Sequence, residues 1–150
     1  MPSLGRGLCM IWTFFYGSWI NLKILKEKDF FPDHYEVARL HGFDISIQPL
    51  ANIFPSESCT VYGILLATTR EKHHRMLTAL TTLGAMGTIY LPQAVLVETS
   101  DGKWKAALCY TSSREEPKPS PPDYLDPLVH SAKEWGFPEW YIKHLESFRR

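Results

Sequence analysis

The sequence predicts an α+β fold in which a small mixed, mostly antiparallel β-barrel is flanked by helices. Three observations support this prediction. Several short segments are apolar, or alternate between apolar and polar residues, as strands do. Asp101-Gly102, between two of these segments, is typical of a tight hairpin turn. Amphipathic segments with the three- and four-residue spacing of helices lie between and after the strands.

The length of the chain predicts one domain, and its net charge predicts no polyanionic partner. The chain has 150 residues, 45% of them hydrophobic, and sixteen basic residues balance sixteen acidic ones. This length allows one substantial core, so we predict a single domain over 1–150 with its core at about 10–146. Because the net charge is zero, no overall field attracts nucleic acid or a membrane, and we predict neither as a partner.

The first element is a strand that ends in a turn. Residues 10–16 are apolar or β-branched on both faces, as in a strand that is covered on both sides. Gly17-Ser18 then gives a turn signal, and from Ile20 the apolar spacing becomes helical until Pro32. A loop at the end of a strand is a common position for a functional site.

The middle of the chain predicts three strands and a helix. Residues 43–47 alternate between apolar and polar, and residues 51–54 and 60–66 are typical of two strands joined by a short turn. Thr68-Thr69-Arg70-Glu71 has the spacing of a helix capping box. The amphipathic helix that follows is predicted to end at Gly84.

The last third predicts a hairpin, a stiff connector and two helices. Residues 90–97 and 104–110 form the hairpin around Asp101-Gly102. Segment 111–122 is polar and rich in proline, so we expect an extended connector inside the domain. Two short helices follow, for which Asp126 and Pro138 are the start signals.

The sequence indicates no metal, cofactor or disulfide framework. Cys9, Cys59 and Cys109 contain no CxxC pair, and His73-His74 is typical of a helix-surface pair because adjacent helical side chains point about 100° apart. Neither GxGxxG nor GxxxxGK[ST] occurs, so nucleotide binding has no direct support. Three unpaired cysteines and no predicted membrane span favour a cytoplasmic protein.

The strongest local candidate for a site is the turn Tyr16-Gly17-Ser18-Trp19. Backbone N–H groups at such a turn are able to hold a carboxylate or a developing oxyanion. Taken alone, these residues are more typical of a tight strand-to-helix turn without a ligand, and that alternative stays open. GxSxG is absent, and no His or Asp partner supports Ser18 as a nucleophile.

Several short motifs, taken in order, carry a family resemblance. They are Phe15-Tyr16-Gly17-Ser18, Ala51-Asn52-Ile53-Phe54-Pro55, Val61-Tyr62-Gly63-Ile64-Leu65, Pro122-Asp123-Tyr124 and Ala132-Lys133-Glu134-Trp135-Gly136-Phe137-Pro138-Glu139-Trp140-Tyr141. In order and spacing, from about residue 10 to 146, the chain resembles the γ-glutamylcyclotransferase-like (AIG2-like) superfamily. The resemblance implies a small mixed β-barrel with flanking helices.

The resemblance also implies a pocket in which turn amides hold the polar end of a γ-glutamyl substrate. The matching pocket residues are Tyr16, Gly17, Ser18, Trp19, Tyr90 and Tyr124. In this family the substrate's α-amine attacks its own γ-carbonyl and releases 5-oxoproline together with an amine or amino acid. A glutamate at the end of the helix before the Tyr90 strand moves the proton from that amine.

Two departures from the family pattern bear on activity. Trp19 stands where the family usually has Asn, which predicts a smaller or more apolar pocket. The family glutamate is absent: its position falls near Leu83 in stretch 80–87, and no carboxylate occurs between Glu71 and Glu98. Loss of a positioned acid/base group costs ~10²–10⁴-fold in rate, so ordinary 5-oxoproline formation is predicted to be weak or absent.

Three functions remain open at this point. An enzyme with altered chemistry would need another acid, and those near family motifs are Glu57, Asp123 and Glu134. A binding protein would hold a small amine or amino-acid derivative without turning it over. A scaffold would use tryptophans at an interface, drawn from Trp12, Trp19, Trp135 and Trp140, although core packing also explains them. We favour the first two, which share a small-molecule site at the turn.

Overall fold

Five strands hydrogen-bond into a closed barrel in this computed structural model, which describes residues 10–27, 29–30, 32–47, 50–83, 90–112 and 122–149. The strands are β1 (Ile11–Phe15), β2 (His34–Ile47), β3 (Ala51–Thr68), β4 (Tyr90–Thr99) and β5 (Trp104–Ser112). Their order around the barrel is β1-β3-β2-β4-β5. The predicted barrel is therefore confirmed.

The barrel is mixed because one strand pair is parallel. β1 pairs antiparallel with β3 from Ile11↔Thr68 to Phe15↔Ile64, and parallel with β5 at Thr13↔Leu108. The β2–β3, β2–β4 and β4–β5 pairs are antiparallel. β1 therefore lies between two neighbouring strands. Its consecutive residues Thr13, Phe14 and Phe15 are buried, so this part of β1 is covered on both faces, as its apolar sequence predicts.

β3 is one long strand where the sequence predicts two. The predicted turn at 55–58 is wrong, because these residues continue β3 through an irregularity. His41 pairs with Thr60 whereas Phe43 pairs with Pro55, so β3 carries the extra residues of a bulge. Bulges bend and twist a ribbon. The bulge in β3 separates the part of the strand that pairs with β1 from the part that begins at Ala51.

Helices and one short turn complete the described structure. They are a 3-10 turn (Ser18–Ile20), α1 (Leu22–Glu27), α2 (Arg70–Leu83), α3 (Pro122–Glu134) and α4 (Glu139–Glu146). The N–H of Lys72 donates to Thr69 Oγ1 at 3.3 Å, so a threonine of the predicted capping motif caps α2. Residues 113–121, most of the predicted Pro-rich connector, lie outside the described residues.

The start of α3 differs from the prediction. Asp126 is not its N-cap, because the helix already begins at Pro122 and includes Pro127. Proline is favoured in the first turn of a helix, where its missing N–H has no intrahelical partner. Pro127 removes only one backbone bond early in the helix, and Leu125, Leu128 and other apolar residues of α3 are buried.

α2 is joined to the barrel by a buried histidine. His73 is buried whereas His74 is exposed, so the prediction of a helix-surface pair is wrong for His73. Its Nε2 lies 2.9 Å from the hydroxyl of Tyr110 on β5. Adjacent helical positions point in different directions, so only one of the two histidines faces the barrel.

Burial gives His73 a pH-dependent effect on stability. Desolvation lowers its pKa below the usual 6.5, and the neighbouring His74 lowers it further. Below pH ~6.5 the unfolded chain therefore binds more protons at this site than the folded chain. The free energy of unfolding should fall as the pH drops below ~6.5 towards the lowered folded-state pKa, and it should be retained above that range.

We expect His73→Gln to remove most of this pH dependence, because glutamine does not titrate and is still able to bond to Tyr110. The measurement is urea unfolding at pH 7.5 and pH 5.5. His74→Gln is the matched control, since this exposed neighbour should leave most of the loss at low pH in place. Equal pH dependence in wild type and His73→Gln would contradict the assignment.

Candidate functional site

The predicted turn is fixed by backbone bonds and by a tryptophan. The N–H of Ile20 donates to Gly17 O at 3.1 Å, and the N–H of Asn21 donates to Ser18 O at 3.2 Å. The indole N–H of Trp135, just after α3, donates to Ile20 O at 2.7 Å. Two segments that carry the family resemblance therefore meet here, and Trp135 of the later segment holds the conformation of the turn.

Tyr16 is an anchor rather than a titrating group. Its side chain is 6% exposed, and its hydroxyl donates to the backbone carbonyl of Tyr110 at 2.7 Å. Burial raises the pKa of Tyr16 well above its ordinary value, and the nearby Cys109, Tyr90 and Tyr124 raise it further. Tyr16 is therefore a neutral phenol that ties the end of β1 to β5.

The first residues of β3 bring the predicted tyrosines together. The N–H of Ala51 donates to the hydroxyl oxygen of Tyr124 at 3.1 Å, and its carbonyl accepts from the hydroxyl of Tyr90 at 2.8 Å. The Asn52 side chain exchanges two 3.0 Å hydrogen bonds with the backbone of Ser112. The start of β3 is thus fixed to β4, β5 and α3.

Gly17 lies against the same tyrosine. A Cβ atom on Gly17 would be 3.0 Å from the Tyr124 hydroxyl and 3.2 Å from the Ala51 Cβ, so a side chain here would be crowded. Ser18 lies close enough to that hydroxyl to affect its pKa. Burial raises the pKa of Tyr124, while the bonds from Ala51 and Ser18 offset part of the rise.

Five of the six predicted pocket residues converge, and Trp19 turns elsewhere. Its side chain is 5% exposed, with ring centroids 5.2 Å from Phe15 and 6.0 Å from Phe30. Trp19 therefore packs in the hydrophobic core beneath the turn. The convergent residues are Tyr16, Gly17, Ser18, Tyr90 and Tyr124.

The acids considered as substitutes for the family glutamate are dispersed. Glu57 is exposed on β3, and Glu134 is exposed at the end of α3, 2.5 Å from His130. Asp123 is exposed in the first turn of α3, adjacent in sequence to Tyr124. Of the three, Asp123 is the only one next in sequence to a convergent residue.

Leu83, the position assigned to the missing glutamate, is the last residue of α2. Residues 84–87 of the corresponding stretch lie outside the described residues. Glu98, the next carboxylate along the chain, is engaged on β4, where it accepts from Arg39 Nε at 2.8 Å and lies 2.8 Å from His41 Nε2.

The cysteines and other ligand-type residues form no metal centre within the described ranges. No three His, Cys, Asp or Glu side chains there lie close enough together to hold a metal ion. Burial raises the pKa of Cys109 to about 12, so this thiol is protonated and unreactive at neutral pH. Among the described helices, none is long and apolar enough to cross a membrane.

Sequence reasoning missed three residues that organise the site. Ala51 contributes only backbone atoms, so its residue type carries no chemical signal. Tyr110 belongs to an apolar strand, and only the fold shows that its carbonyl meets Tyr16. His73 lies on the helical stripe with Met76, and that spacing was the available signal for its burial.

Comparison with known proteins gives the class of this fold. The AIG2-like family profile matches residues 77–145, a little under half of the chain. A structure described as a gamma-glutamyl cyclotransferase aligns with a TM-score of 0.75 at 23% identity, covering 93% of this chain and 88% of that one. An uncharacterized protein from Homo sapiens aligns with a TM-score of 0.74 at 23% identity, covering 92% and 87%.

A more distant structure extends the comparison. A yeast gamma-glutamyl cyclotransferase specific to glutathione aligns with a TM-score of 0.66 at 14% identity, covering 94% of this chain and 97% of that one. No curated protein matches the sequence significantly. The chain therefore has the γ-glutamyl cyclotransferase fold. The predicted resemblance to the γ-glutamylcyclotransferase-like (AIG2-like) superfamily is confirmed by the fold and by the family match over residues 77–145.

Proposed function

We propose that this protein binds a γ-glutamyl or related amine or amino-acid compound at the Tyr16–Trp19 turn and forms 5-oxoproline slowly or not at all. The convergence of Gly17, Ser18, Ala51, Tyr90 and Tyr124 carries the proposal. These residues come from four separate segments and place hydroxyl and backbone groups together, as a small-molecule site requires.

The chemistry of these groups suits an uncharged or anionic polar ligand. Burial raises the pKa of Tyr16 and of Tyr124, so both phenols are neutral at physiological pH. Neutral hydroxyls and backbone N–H groups hold carboxylate and carbonyl oxygens without a fixed charge. A γ-glutamyl group presents both kinds of oxygen. The names of two structural neighbours, which act on γ-glutamyl compounds, support the same class.

Weak turnover follows from the missing family glutamate. Cyclisation requires a proton to leave the α-amine as it attacks the γ-carbonyl. Stretch 80–87 has no carboxylate, and the raised pKa of Tyr16 and Tyr124 makes both phenols poor bases at pH 7. Asp123 adjoins Tyr124 in sequence, but it is exposed, and adjacent helical side chains point about 100° apart.

The proposal is tested by thermal stabilisation of the pure protein with γ-glutamyl amino acids, γ-glutamyl amines and 5-oxoproline. We expect at least one compound to raise the melting temperature. Tyr90→Phe should weaken that compound's binding by roughly 5- to 10-fold, because the Tyr90 hydroxyl holds Ala51 in place. Tyr35→Phe is the matched control: this tyrosine is exposed on β2 and should leave binding unchanged.

A protein-interaction scaffold is the second candidate, and exposed apolar side chains support it. The large apolar side chains that are about half exposed or more are Tyr35, Leu91, Leu96, Trp104 and Trp140. Beside Trp104, His41 contacts both its ring and Glu98, which also pairs with Arg39. Aromatic residues and arginine are enriched at interfaces. Absence of stabilisation by every compound in the panel would favour this function over a small-molecule site.

A further inference from the structure

A hydroxyl, an imidazole and a carboxylate form a hydrogen-bonded row across three neighbouring strands of the barrel. His41 of β2 is paired in register with Thr60 of β3, and its Nδ1 lies 3.2 Å from Thr60 Oγ1. Its Nε2 lies 2.8 Å from Oε1 of Glu98 on β4. None of the three belongs to the convergent residues at the turn, so the row is a separate cluster.

Glu98 determines which nitrogen of His41 carries the proton. Arg39 Nε donates to the same carboxylate oxygen at 2.8 Å, and the bonds from Arg39 and His41 lower the pKa of Glu98. The carboxylate is therefore ionised at neutral pH and only accepts hydrogen bonds. A neutral His41 then donates from Nε2 and leaves the lone pair of Nδ1 free to accept from the Thr60 hydroxyl.

This order of groups is the one that activates a hydroxyl as a nucleophile. In such sites a base accepts the hydroxyl proton, and a third group orients the base. His41 takes the first role and Glu98 the second. The two ring nitrogens have exchanged places relative to the serine-protease arrangement, but the path of the proton is the same because either nitrogen is able to accept it.

The surroundings of the row leave room for a substrate. The His41 side chain is 45% exposed, and a Cβ on the neighbouring Gly42 would meet no atom within 4 Å. The ring of Trp104, which is half exposed, lies 5.6 Å from the His41 ring between centroids. An exposed indole beside the base offers an apolar surface to the acyl or aryl group of a small molecule.

We propose that Thr60, His41 and Glu98 form a second reactive site, at which the Thr60 hydroxyl attacks small carboxylic esters that carry an apolar or aromatic group. Thr60 Oγ1 bonds to the carbonyl carbon and its proton moves to His41 Nδ1. The ester C–O bond then breaks, and the alcohol leaves with that proton. Water hydrolyses the acyl-threonine, which releases the carboxylic acid and restores the hydroxyl.

Hydrolysis of p-nitrophenyl acetate at neutral pH tests this inference. We expect Thr60→Val, which keeps the shape of the side chain, and His41→Gln each to lower the rate of p-nitrophenol release by roughly 10²-fold. His34→Gln is the matched control and should leave the rate unchanged. His34 lies on the same strand, is exposed, and also contacts a carboxylate, Glu36, at 2.6 Å.

Two results with the variants would overturn the inference. Equal rates in wild type and Thr60→Val would exclude Thr60 as the nucleophile. A loss in His41→Gln without a loss in Thr60→Val would make the imidazole itself the nucleophile. Neither result bears on the γ-glutamyl site, because the two sites share no residue and the γ-glutamyl compounds are tested separately.

A fluorophosphonate ester provides a second measurement that needs no variant. Thr60 Oγ1 would bond to phosphorus, fluoride would leave, and the proton would move to His41. Peptide mass spectrometry of labelled wild-type protein should find the phosphonyl group on Thr60. Unmodified Thr60 at saturating probe would overturn the inference, even if one of the variants does not fold.

Discussion

Gly63→Ala should destabilise the protein by about 3 kcal/mol or more, because the new methyl group has no space between β1 and β3. A Cβ on Gly63 would lie 2.2 Å from the backbone oxygen of Phe15 and 2.7 Å from the Phe14 ring. The first of these atoms belongs to the backbone, so a change of rotamer cannot relieve the contact. β1 would have to separate from β3.

The effect should reach the site as well as the fold. Phe15 is the last residue of β1 and leads directly into Tyr16 and the turn. Urea unfolding gives the stability loss, and ligand-induced stabilisation shows whether the turn is displaced. Ala106→Gly, at an exposed position on β5, is the control and should cost at most about 1 kcal/mol. Similar losses in both variants would contradict the close packing at Gly63.

Leu83→Glu should raise the rate of 5-oxoproline formation by about 10²-fold, the low end of what a positioned acid/base group contributes. Leu83 is the last residue of α2, and the family resemblance places the missing glutamate near this position. The carboxylate would accept the proton from the α-amine as the amine attacks the γ-carbonyl.

The control for this variant is Leu83→Gln, which has nearly the same shape but cannot accept the proton. Release of 5-oxoproline from γ-glutamyl compounds is measured by mass spectrometry at several pH values. The rate of Leu83→Glu should rise with pH as its carboxyl ionises, whereas Leu83→Gln should show no such rise. Equal rates in the two variants would contradict the view that the missing carboxylate limits 5-oxoproline formation.

The sequence predicts the elements around the site better than the long β2–β3 ribbon. β1, the turn and the helix after Thr69 carry local signals: an apolar run, Gly-Ser and a capping threonine. The first part of β2 has apolar residues on both faces, with Ala38 and Leu40 buried and Tyr35 exposed. The alternation of apolar and polar residues that marks a half-buried strand is therefore obscured. The bulge in β3 resembles a turn because Pro55 and Ser56 are typical turn residues.

The candidate site was only partly predictable for a different reason. Tyr16, Tyr90 and Tyr124 carry side-chain chemistry and match family motifs, so they could be named in advance. Ala51 acts through its backbone, and no residue type reports that role. The Tyr124 hydroxyl accepts from the Ala51 N–H at 3.1 Å only because β3 and α3 pack together, which depends on tertiary structure alone.

A γ-glutamyl-type site without ordinary cyclotransferase turnover should bind its ligand and leave it intact. The most direct test combines 5-oxoproline release, measured by mass spectrometry on wild-type protein, with thermal stabilisation by the same γ-glutamyl compounds. We expect stabilisation by at least one compound and release far below the roughly 1–10³ s⁻¹ of ordinary enzymes. Release at ordinary rates would contradict it, because another residue would then be moving the proton that the missing glutamate moves in the family.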